Sequence, residues 1–321
     1  MTETIVVLDP LTEERANKLR ALLPLGMVLT HGRTRGDAHL KEIIAEADYA
    51  IAGQVGVSGE VLGAARKLKL LHKWGVGVDN LDVEAARARG IKVARTTGSN
   101  AVPVAEFTLG LMLSTLRAIG YGHAELKKGE WRGGRLPMET FLLSGKTVGL
   151  VGFGAIGRNV ARLLKSFGCR ILYHTRQRID AAEEAALGAH HVTLADLLAQ
   201  SDVVSLHCPL TPETAGLIDR SALARMKPTA VLINVARGGV VVEDDLVSAL
   251  RDKAIHGAAM DVFETEPLPA DSPLLQIDNL LVTPHLAAIA ADNFEKTVRQ
   301  MFGNIACVSR GEPVPVQDAV A

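Results

Sequence analysis

Short apolar runs alternate with amphipathic segments along the first hundred residues of the chain. Apolar runs of this length predict buried strands, and segments with apolar residues at helical spacing after a capping residue predict helices. The predicted strands are Ile5–Leu8, Met27–Thr30, Tyr49–Ala52, Leu68–His72 and Ile91–Ala94. The predicted helices begin after Thr12, near Asp37, and at Ser58 and Asp82. Strands separated by single helices indicate βαβ units, and therefore a parallel sheet covered on both faces.

A second series of the same kind follows a helical stretch that begins near Pro103. Its predicted strands are Thr147–Val151, Arg170–Tyr173, Val203–Leu206, Val231–Val235, Gly257–Met260 and Leu281–Thr283. A last helix is predicted from Asp292 to about Ser309. The pattern thus predicts an α/β protein with two doubly wound parallel-sheet domains.

Composition narrows the function classes. The chain has 321 residues, 48% of them hydrophobic, with 35 basic and 36 acidic side chains. This balance is typical of a folded protein, and it provides no charged field for nucleic acid or a membrane surface. Three separated cysteines and the absence of a signal-peptide pattern lead us to expect a cytoplasmic protein without a metal site.

A glycine loop follows the predicted strand Thr147–Val151. It reads Gly152, Phe153, Gly154, Ala155, Ile156, Gly157, which is the GxGxxG pattern, and a predicted helix comes next. The glycines allow a tight turn, close approach of a pyrophosphate and close packing of helix on strand, while free N–H groups face the phosphate. The spacing alone is weak evidence and fits a purely structural turn. Its place between strand and helix favours a dinucleotide site.

The residues after the next strand indicate which dinucleotide is bound. NAD-selective sites place a carboxylate about 20 residues beyond the loop, where it binds the ribose 2′-hydroxyl. Here no acidic residue lies between Gly157 and Arg178, and the strand end carries Thr175, Arg176 and Arg178. Two guanidinium groups and a hydroxyl suit a 2′-phosphate, so NADP(H) is the expected cofactor, with NAD(H) as an alternative. The competing interpretation is that both arginines are solvated loop charges.

Three further segments come at predicted strand ends. They are Asn234–Gly239, Met260–Pro267 and Thr283–His285, and each is rich in polar groups. The carboxyl ends of parallel strands form the crevice in which open α/β sheets bind ligands. A single arginine is usually a surface ion pair and a single histidine a satisfied polar group. Their convergence at one edge favours a catalytic site.

With these segments in family order, the sequence resembles the D-isomer-specific 2-hydroxyacid dehydrogenases over almost its full length. The resemblance is carried by the GxGxxG unit, the stretch Ser205–Thr214, and the Ala-Arg-Gly, Asp-Val-Phe-Glu-Thr-Glu-Pro and Pro-His elements. It implies a Rossmann cofactor domain, residues 99–287, inserted into a flavodoxin-like substrate domain, residues 1–98 and 288–321. A homodimer is also implied.

The resemblance assigns the catalytic roles. Arg237 is the substrate-binding arginine, Glu266 the acid paired with histidine, and His285 the proton donor. Glu264 competes for the acid role, but the family spacing favours Glu266. The chemistry agrees, because reduction of a 2-keto acid needs a proton for the developing alkoxide and a grip on the carboxylate. An ionised Glu266 would favour the imidazolium form and orient the ring.

Further site residues follow from the same resemblance. The N–H groups of Val76 and Gly77, in the segment Lys73–Asn80, are expected to hold the substrate carboxylate; without the family, a structural turn is the alternative. Trp74 and Trp131 could border the substrate, although large aromatics more often serve packing. The remaining expected cofactor contacts are Val104, Cys208, Pro209, Thr214, Val235, Ala236, Asp261 and His285.

The sequence therefore predicts an NADPH-preferring reductase of glyoxylate or hydroxypyruvate, with 2-ketogluconate as a larger candidate substrate. Formate dehydrogenases need no acid–base pair, and phosphite dehydrogenases carry a lysine where Val76 stands here, so both are weaker alternatives. The longer phosphoglycerate dehydrogenases are also expected to be a poorer match. A dinucleotide-sensing corepressor keeps the same catalytic residues, and it remains the alternative from another class.

Overall fold

The computed structural model describes residues 2–131, 136 and 138–320. The chain divides into two compact units, Met1–Asn100 with Ala290–Ala321, and Ala101–Ile289. The second unit is thus an insertion between two parts of the first. This division places the boundaries after residues 100 and 289, where the sequence suggested 98 and 287.

The first unit contains a five-stranded parallel sheet in the order β2-β1-β3-β4-β5. Its strands are β1 (Glu3–Pro10), β2 (Met27–Gly32), β3 (Tyr49–Ala52), β4 (Leu70–Lys73) and β5 (Lys92–Ala94). Its helices up to residue 100 are α1 (Glu13–Arg20), α2 (Asp37–Ile44), α3 (Gly59–Ala64) and α4 (Val83–Ala88). The strand order is that of flavodoxin-like domains, which confirms the predicted fold class of this unit.

Both faces of this sheet are buried, as the apolar runs predicted. Along β1, Val6 and Leu8 contribute to one core cluster, while Ile5 and Val7 contribute to the other. The last helix of the chain, Ala291–Ser309, completes the second cluster with side chains such as Met301. Alternate strand residues point to opposite faces, so a continuous apolar run fills both cores.

The second unit contains a seven-stranded parallel sheet. Its strands are β6 (Thr147–Val151), β7 (Arg170–His174), β8 (Ala189–His191), β9 (Val203–Leu206), β10 (Val231–Asn234), β11 (Gly257–Met260) and β12 (Leu280–Val282). They lie in the order β12-β11-β10-β9-β6-β7-β8. Six of them follow the Rossmann order, with β12 added at one edge, and the order reverses between β6 and β9. The predicted Rossmann class is confirmed.

Helices cover both faces of the second sheet. They are α5 (Ala101–Leu116), α6 (Ile119–Lys127), α7 (Ala155–Lys165), α8 (Ala181–Leu187), α9 (Leu194–Gln200), α10 (Arg220–Leu223) and α11 (Glu243–Arg251). Short 3₁₀ helices span Gly238–Val240 and Pro273–Gln276, and α12 is the Ala291–Ser309 helix of the first unit. Among the described residues, no single helix is long and apolar enough to cross a membrane; α5 and α6 reach that length only together, and a 67° bend separates them.

Candidate active site

The predicted site residues of the second unit lie at one edge of its sheet. Because β6, β7, β9, β10 and β11 are all parallel, their carboxyl ends share that edge. The loops after these five strands carry the glycine loop, the arginines, the His-Cys-Pro segment, Arg237 and Asp261. This edge holds the point where the strand order reverses, which is the position of ligand sites in open α/β sheets.

The three glycines of the loop serve three different purposes. Gly152 has a φ of +91°, and a Cβ there would lie 2.6 Å from the backbone nitrogen of Cys208. A Cβ on Gly157 would lie 2.6 Å from the carbonyl oxygen of Gly152. A Cβ on Gly154 would meet no atom within 4 Å, so the space above the start of α7 is open. A tight turn, an open approach and a close helix are what a bound pyrophosphate requires, so these residues fit a dinucleotide.

The end of β7 holds its two arginines differently. Arg178 forms two bonds with the carboxylate of Glu184, at 2.8 and 2.6 Å. The Tyr173 hydroxyl donates to the same carboxylate at 2.5 Å and accepts the N–H of Ile179. The pairing with Arg178 and Tyr173 lowers the pKa of Glu184 to about 2. Both arginines are exposed, but Arg178 is engaged in holding the loop, whereas Arg176 acts electrostatically on Glu213.

A groove of about 770 Å³ opens beside this loop. Its lining comes from the ends of β7 and β8 and from the start of α9. The lining residues are His174, Thr175, Arg176, His191, Val192, Thr193 and Asp196. The groove thus contains two of the residues predicted to face a 2′-phosphate.

The acid–base pair is formed. His285 Nδ1 lies 2.6 Å from Glu266 Oε2, and the other carboxylate oxygen accepts the N–H of Phe263 at 3.0 Å. Burial raises the pKa of Glu266, but the His285 bond and the charge of Arg237 outweigh it and leave the pKa below its usual value. Glu266 is therefore ionised at neutral pH and orients the imidazole, whose Nε2 has no hydrogen-bond partner among the described residues.

Glu264, the other candidate for the acid paired with histidine, binds the start of α11 instead. The N–H of Glu264 donates to the Glu243 carboxylate at 2.7 Å, and Glu264 Oε1 accepts the N–H of Glu243 at 3.4 Å. Glu264 thus ties its loop to the start of α11, and Glu266 is the carboxylate in contact with His285.

Arg237 is positioned by its own loop. Asn234, which is fully buried, donates to the carbonyl of Arg237 at 2.9 Å and accepts the N–H of Ala236 at 3.0 Å. A Cβ on Gly238 would lie 1.9 Å from the carbonyl carbon of Phe263. The arginine loop and the Glu266 loop therefore touch backbone to backbone, which explains why the charge of Arg237 reaches Glu266.

The turn that carries His285 depends on Asp261. His285 has a φ of +54°, a left-handed conformation that is uncommon for a residue other than glycine. The Asp261 carboxylate is fully buried and accepts bonds from the Thr283 hydroxyl at 2.6 Å and from the N–H groups of Leu286 and Ala287 at 2.8 and 2.9 Å. Asp261 thus holds the turn on both sides of the histidine.

The other expected cofactor residues lie near the same edge. Cys208, Val235 and Ala236 are buried directly after β9 and β10, and Ala155 and Ile156 form the first turn of α7. The Thr214 hydroxyl donates to the Pro209 carbonyl at 2.6 Å and so closes its loop. Val104 is buried within α5, in the core cluster beneath the glycine loop.

The loop that was predicted to bind the substrate carboxylate lies in the first unit, after β4. Gly75 exchanges two bonds with the Thr96 hydroxyl, at 3.0 and 3.1 Å, and Lys73 Nζ donates to Asn80 Oδ1 at 2.6 Å. Within the part of the chain that the structure describes, the N–H groups of Val76 and Gly77 have no hydrogen-bond partner. The loop is therefore held at both ends with two amides available.

Trp74 and Trp131 differ in their exposure and packing. Trp74 packs on Phe294 with ring centroids 6.1 Å apart, and the Arg15 guanidinium lies 5.1 Å from its ring. Trp131 is 83% exposed. Trp74 is thus a packing residue of the first unit, which is the more common role of a large aromatic.

Sequence reasoning missed several residues that hold the site. Gly238 was signalled by the Gly-Gly pair after Arg237, which needs close backbone approach. The contacts of Thr283, His174 and His191 depend on neighbouring strands that are separated in the sequence, so no local pattern could have revealed them. Those of Glu184 depend on the turn between β7 and α8.

Comparison with known proteins identifies the family that the chain resembles. Residues 109–287 match the family model described as D-isomer specific 2-hydroxyacid dehydrogenase, NAD binding domain. The glyoxylate reductase of Korarchaeum cryptofilum is 40% identical over 261 residues, 81% of this chain and 78% of that protein. A crystal structure of the NADPH-dependent glyoxylate/hydroxypyruvate reductase from Sinorhizobium meliloti with NADP and malonate has a TM-score of 0.85 and 30% identity, covering 100% of this chain and 97% of that one.

The similarity to phosphoglycerate dehydrogenases is equally high, contrary to our expectation. The D-3-phosphoglycerate dehydrogenase of Mycobacterium tuberculosis (strain ATCC 25618 / H37Rv) is 41% identical over 278 residues, 86% of this chain and 52% of that protein. The chain therefore spans about half the length of this relative.

Proposed function

The chain belongs to the D-isomer specific 2-hydroxyacid dehydrogenase family, and from that premise we propose that it reduces small 2-keto acids to D-2-hydroxy acids with NADPH in preference to NADH. Glyoxylate and hydroxypyruvate are the first candidate substrates, and 2-ketogluconate is a larger one. The observation that carries the proposal is the 2.6 Å contact between His285 and Glu266, because a keto-acid reductase needs a proton donor whose charged form is stabilised.

Each residue has a defined task in this proposal. The bound dinucleotide supplies the hydride to C2 of the substrate. His285 donates the proton to the carbonyl oxygen from Nε2, while Glu266 stabilises the imidazolium. Arg237 orients the substrate through its carboxylate, and the amides of Val76 and Gly77 bind the same group.

The NADPH preference is supported by the strand end after β7. Thr175 and Arg176 line the groove there, and the carboxylate that NAD-selective sites use at this point is missing from the loop. The NADP-bound relative from Sinorhizobium meliloti supports the same choice. NADH remains the alternative cofactor.

A homodimer is the proposed assembly. Exposed apolar side chains of the second unit include Val102, Ile119 and Leu126, each more than half exposed, together with Trp131. A second copy covering these residues would remove that apolar surface from water. Light scattering after gel filtration gives the mass of the assembly directly.

The decisive experiment is a substrate panel with NADPH and NADH in parallel. It contains glyoxylate, hydroxypyruvate and 2-ketogluconate as oxidants. D-3-phosphoglycerate is tested in the reverse direction, with NADP⁺ and NAD⁺ as the hydride acceptors, because of the phosphoglycerate dehydrogenase relatives. Loss of NADPH absorbance with a keto acid is expected. Tight dinucleotide binding without turnover on any substrate would instead indicate a sensor.

His285→Ala tests the catalytic role. We expect kcat to fall by at least roughly 10²-fold, because a positioned general acid contributes that much or more. The exposed His190→Gln serves as the matched control and should keep the wild-type rate. Near-normal turnover by His285→Ala in steady-state assays would contradict the proposed mechanism.

A further inference from the structure

The groove beside β7 contains more than the predicted Thr175 and Arg176. Two histidines line it, His174 at the end of β7 and His191 at the end of β8. Their rings are stacked, with centroids 6.2 Å apart and an angle of 17° between the planes. Neither histidine belongs to the proposed acid–base machinery, so their place in the groove requires an explanation.

Each ring is fixed by one nitrogen and leaves the other available. His174 Nδ1 lies 3.0 Å from the carbonyl oxygen of Val192, and His191 Nε2 lies 3.2 Å from the carbonyl oxygen of Thr175. A carbonyl only accepts, so these nitrogens carry the protons. In the described chain, His174 Nε2 and His191 Nδ1 have no hydrogen-bond partner. Each ring can therefore gain a proton without losing the bond that orients it.

The fixed charges of the groove nearly cancel. Arg176 supplies one positive charge and Asp196 one negative charge, and both residues line the groove. Beside the groove, the charge of Glu184 is balanced by Arg178, which forms two bonds with its carboxylate. Glu213 lies within the electrostatic reach of Arg176. With neutral histidines, the groove thus offers a phosphate dianion little net positive charge.

We propose, on the basis of the proposed cofactor use, that His174 and His191 complete the binding site for the 2′-phosphate of NADPH and take up protons when it binds. Arg176 and the two imidazolium rings then supply the positive charges of the site. The Thr175 hydroxyl donates to the carbonyl of Gln177 at 2.6 Å, so Thr175 lines the site without donating to the phosphate. Arg178 does not take part, because its guanidinium is engaged with Glu184. Two imidazolium charges beside Arg176 outweigh Asp196 and give the groove the positive charge that a dianion needs.

The consequence is a cofactor preference that depends on pH. Histidine changes its charge between about pH 5 and 8, whereas NADH has no phosphate at this position to favour the proton uptake. Uptake of one proton per histidine changes the dissociation constant by up to about tenfold per pH unit. Between pH 8.5 and 6.5, the dissociation constant of NADPH should fall at least roughly tenfold, and that of NADH should change much less.

The test is isothermal titration of the full chain with NADPH and with NADH at both pH values and constant ionic strength. His174→Asn and His191→Gln place an amide N–H where Nδ1 and Nε2 now donate, so each keeps its bond to a carbonyl but cannot be protonated. The double variant should lose the pH dependence of NADPH binding and keep wild-type NADH affinity. Asp196→Asn should act in the opposite direction and tighten NADPH binding at pH 8.5.

His190→Gln is the control, because His190 is exposed on β8 and does not line the groove. A double variant with the wild-type ratio of NADPH to NADH affinity at both pH values would overturn this inference and leave the proposed reductase intact. Failure of the wild-type chain to bind either dinucleotide would instead refute the proposed function.

Discussion

At the residue scale, the site depends on side chains that hold backbone rather than on side chains that touch a substrate. Asp261 is the clearest case, since its buried carboxylate has three donors, all within four residues of one another in the turn around His285. The left-handed backbone of His285 costs on the order of 1–3 kcal/mol, and it persists only because this turn is held so firmly.

Asp261→Asn tests that role. The amide keeps the size of the side chain but turns an N–H₂ group toward the N–H of Leu286 or Ala287, which leaves a buried donor without an acceptor at a cost of about 1–3 kcal/mol. We expect a folded protein whose kcat falls roughly tenfold or more, because a small displacement of a catalytic group is costly. Asp252→Asn, just beyond α11 on the surface, is the control. Wild-type kcat in Asp261→Asn would show that the turn does not depend on the carboxylate.

At the element scale, the catalytic loops are set by the close approach of one loop to another. The loop after β10 and the loop after β11 touch at Gly238, where a Cβ would meet the backbone of Phe263. That contact brings Arg237 and Glu266 together, although they come from different strand ends.

Gly238→Ala and Gly239→Ala form a matched pair. The first substitution forces two backbone segments apart, since its Cβ would lie 1.9 Å from the Phe263 carbonyl carbon, and overpacking of this kind costs about 1–3 kcal/mol or more. The second meets only the Leu210 side chain at 3.4 Å. We expect Gly238→Ala to lower both the melting temperature and kcat/KM for the keto acid, and Gly239→Ala to stay near wild type in both assays. Equal behaviour of the two variants would contradict this account.

Much of the element order could be predicted because burial on both faces leaves a strong signal. The continuous apolar residues of β3, β6, β9 and β11 predicted those strands with their observed bounds. In contrast, β8 was missed, since its three residues read Ala-His-His and its pairing depends on β7. The break between α5 and α6 was also missed. Ala118 has a φ of +51° there, and alanine, unlike glycine, does not signal a left-handed residue.

Part of the site could also be predicted from the sequence, because some of its residues lie in recognisable motifs. His285 and Glu266 come from motifs whose residue types indicate acid–base chemistry, so their contact was expected. The partner of Arg178 was not expected, because the two residues are six apart and their contact depends on how the chain turns from β7 into α8. Nearby arginines in a sequence thus do not reveal which one is available to a ligand.

At the scale of the whole molecule, each unit contains a histidine whose pKa is lowered well below the ordinary value, His72 in the first unit and His207 in the second. Burial lowers the pKa of His72 to about 4 and that of His207 to about 3, from an ordinary value of 6.5. Both are therefore neutral in the folded chain at pH 5, where the unfolded chain binds a proton at each. The contribution of these two neutral histidines to the free energy of unfolding is fully present above about pH 6.5. It is lost as the pH falls toward their pKa values in the folded chain.

Urea unfolding between pH 7 and 5 measures this effect. Trp74 packs against Phe294 in the first unit, so its fluorescence reports the unfolding of that unit, to which His72 also belongs. The free energy of unfolding should decrease as the pH falls, and His72→Gln should remove about one proton from its pH dependence. His190→Gln should leave the slope unchanged. A slope in His72→Gln equal to that of wild type would show that another group is responsible.

The insertion of one unit into the other also bears on biosynthesis. Residues 101–289 are contiguous, so a ribosome releases everything that the dinucleotide-binding unit needs before α12 emerges. The first hundred residues have been synthesised by then, but Ile5, Val7 and Tyr49 still lack the helix α12 that covers them in the folded chain. We therefore expect the part that is translated first to be completed last, and a nascent chain that stalls before residue 290 to expose apolar surface on which chaperones act.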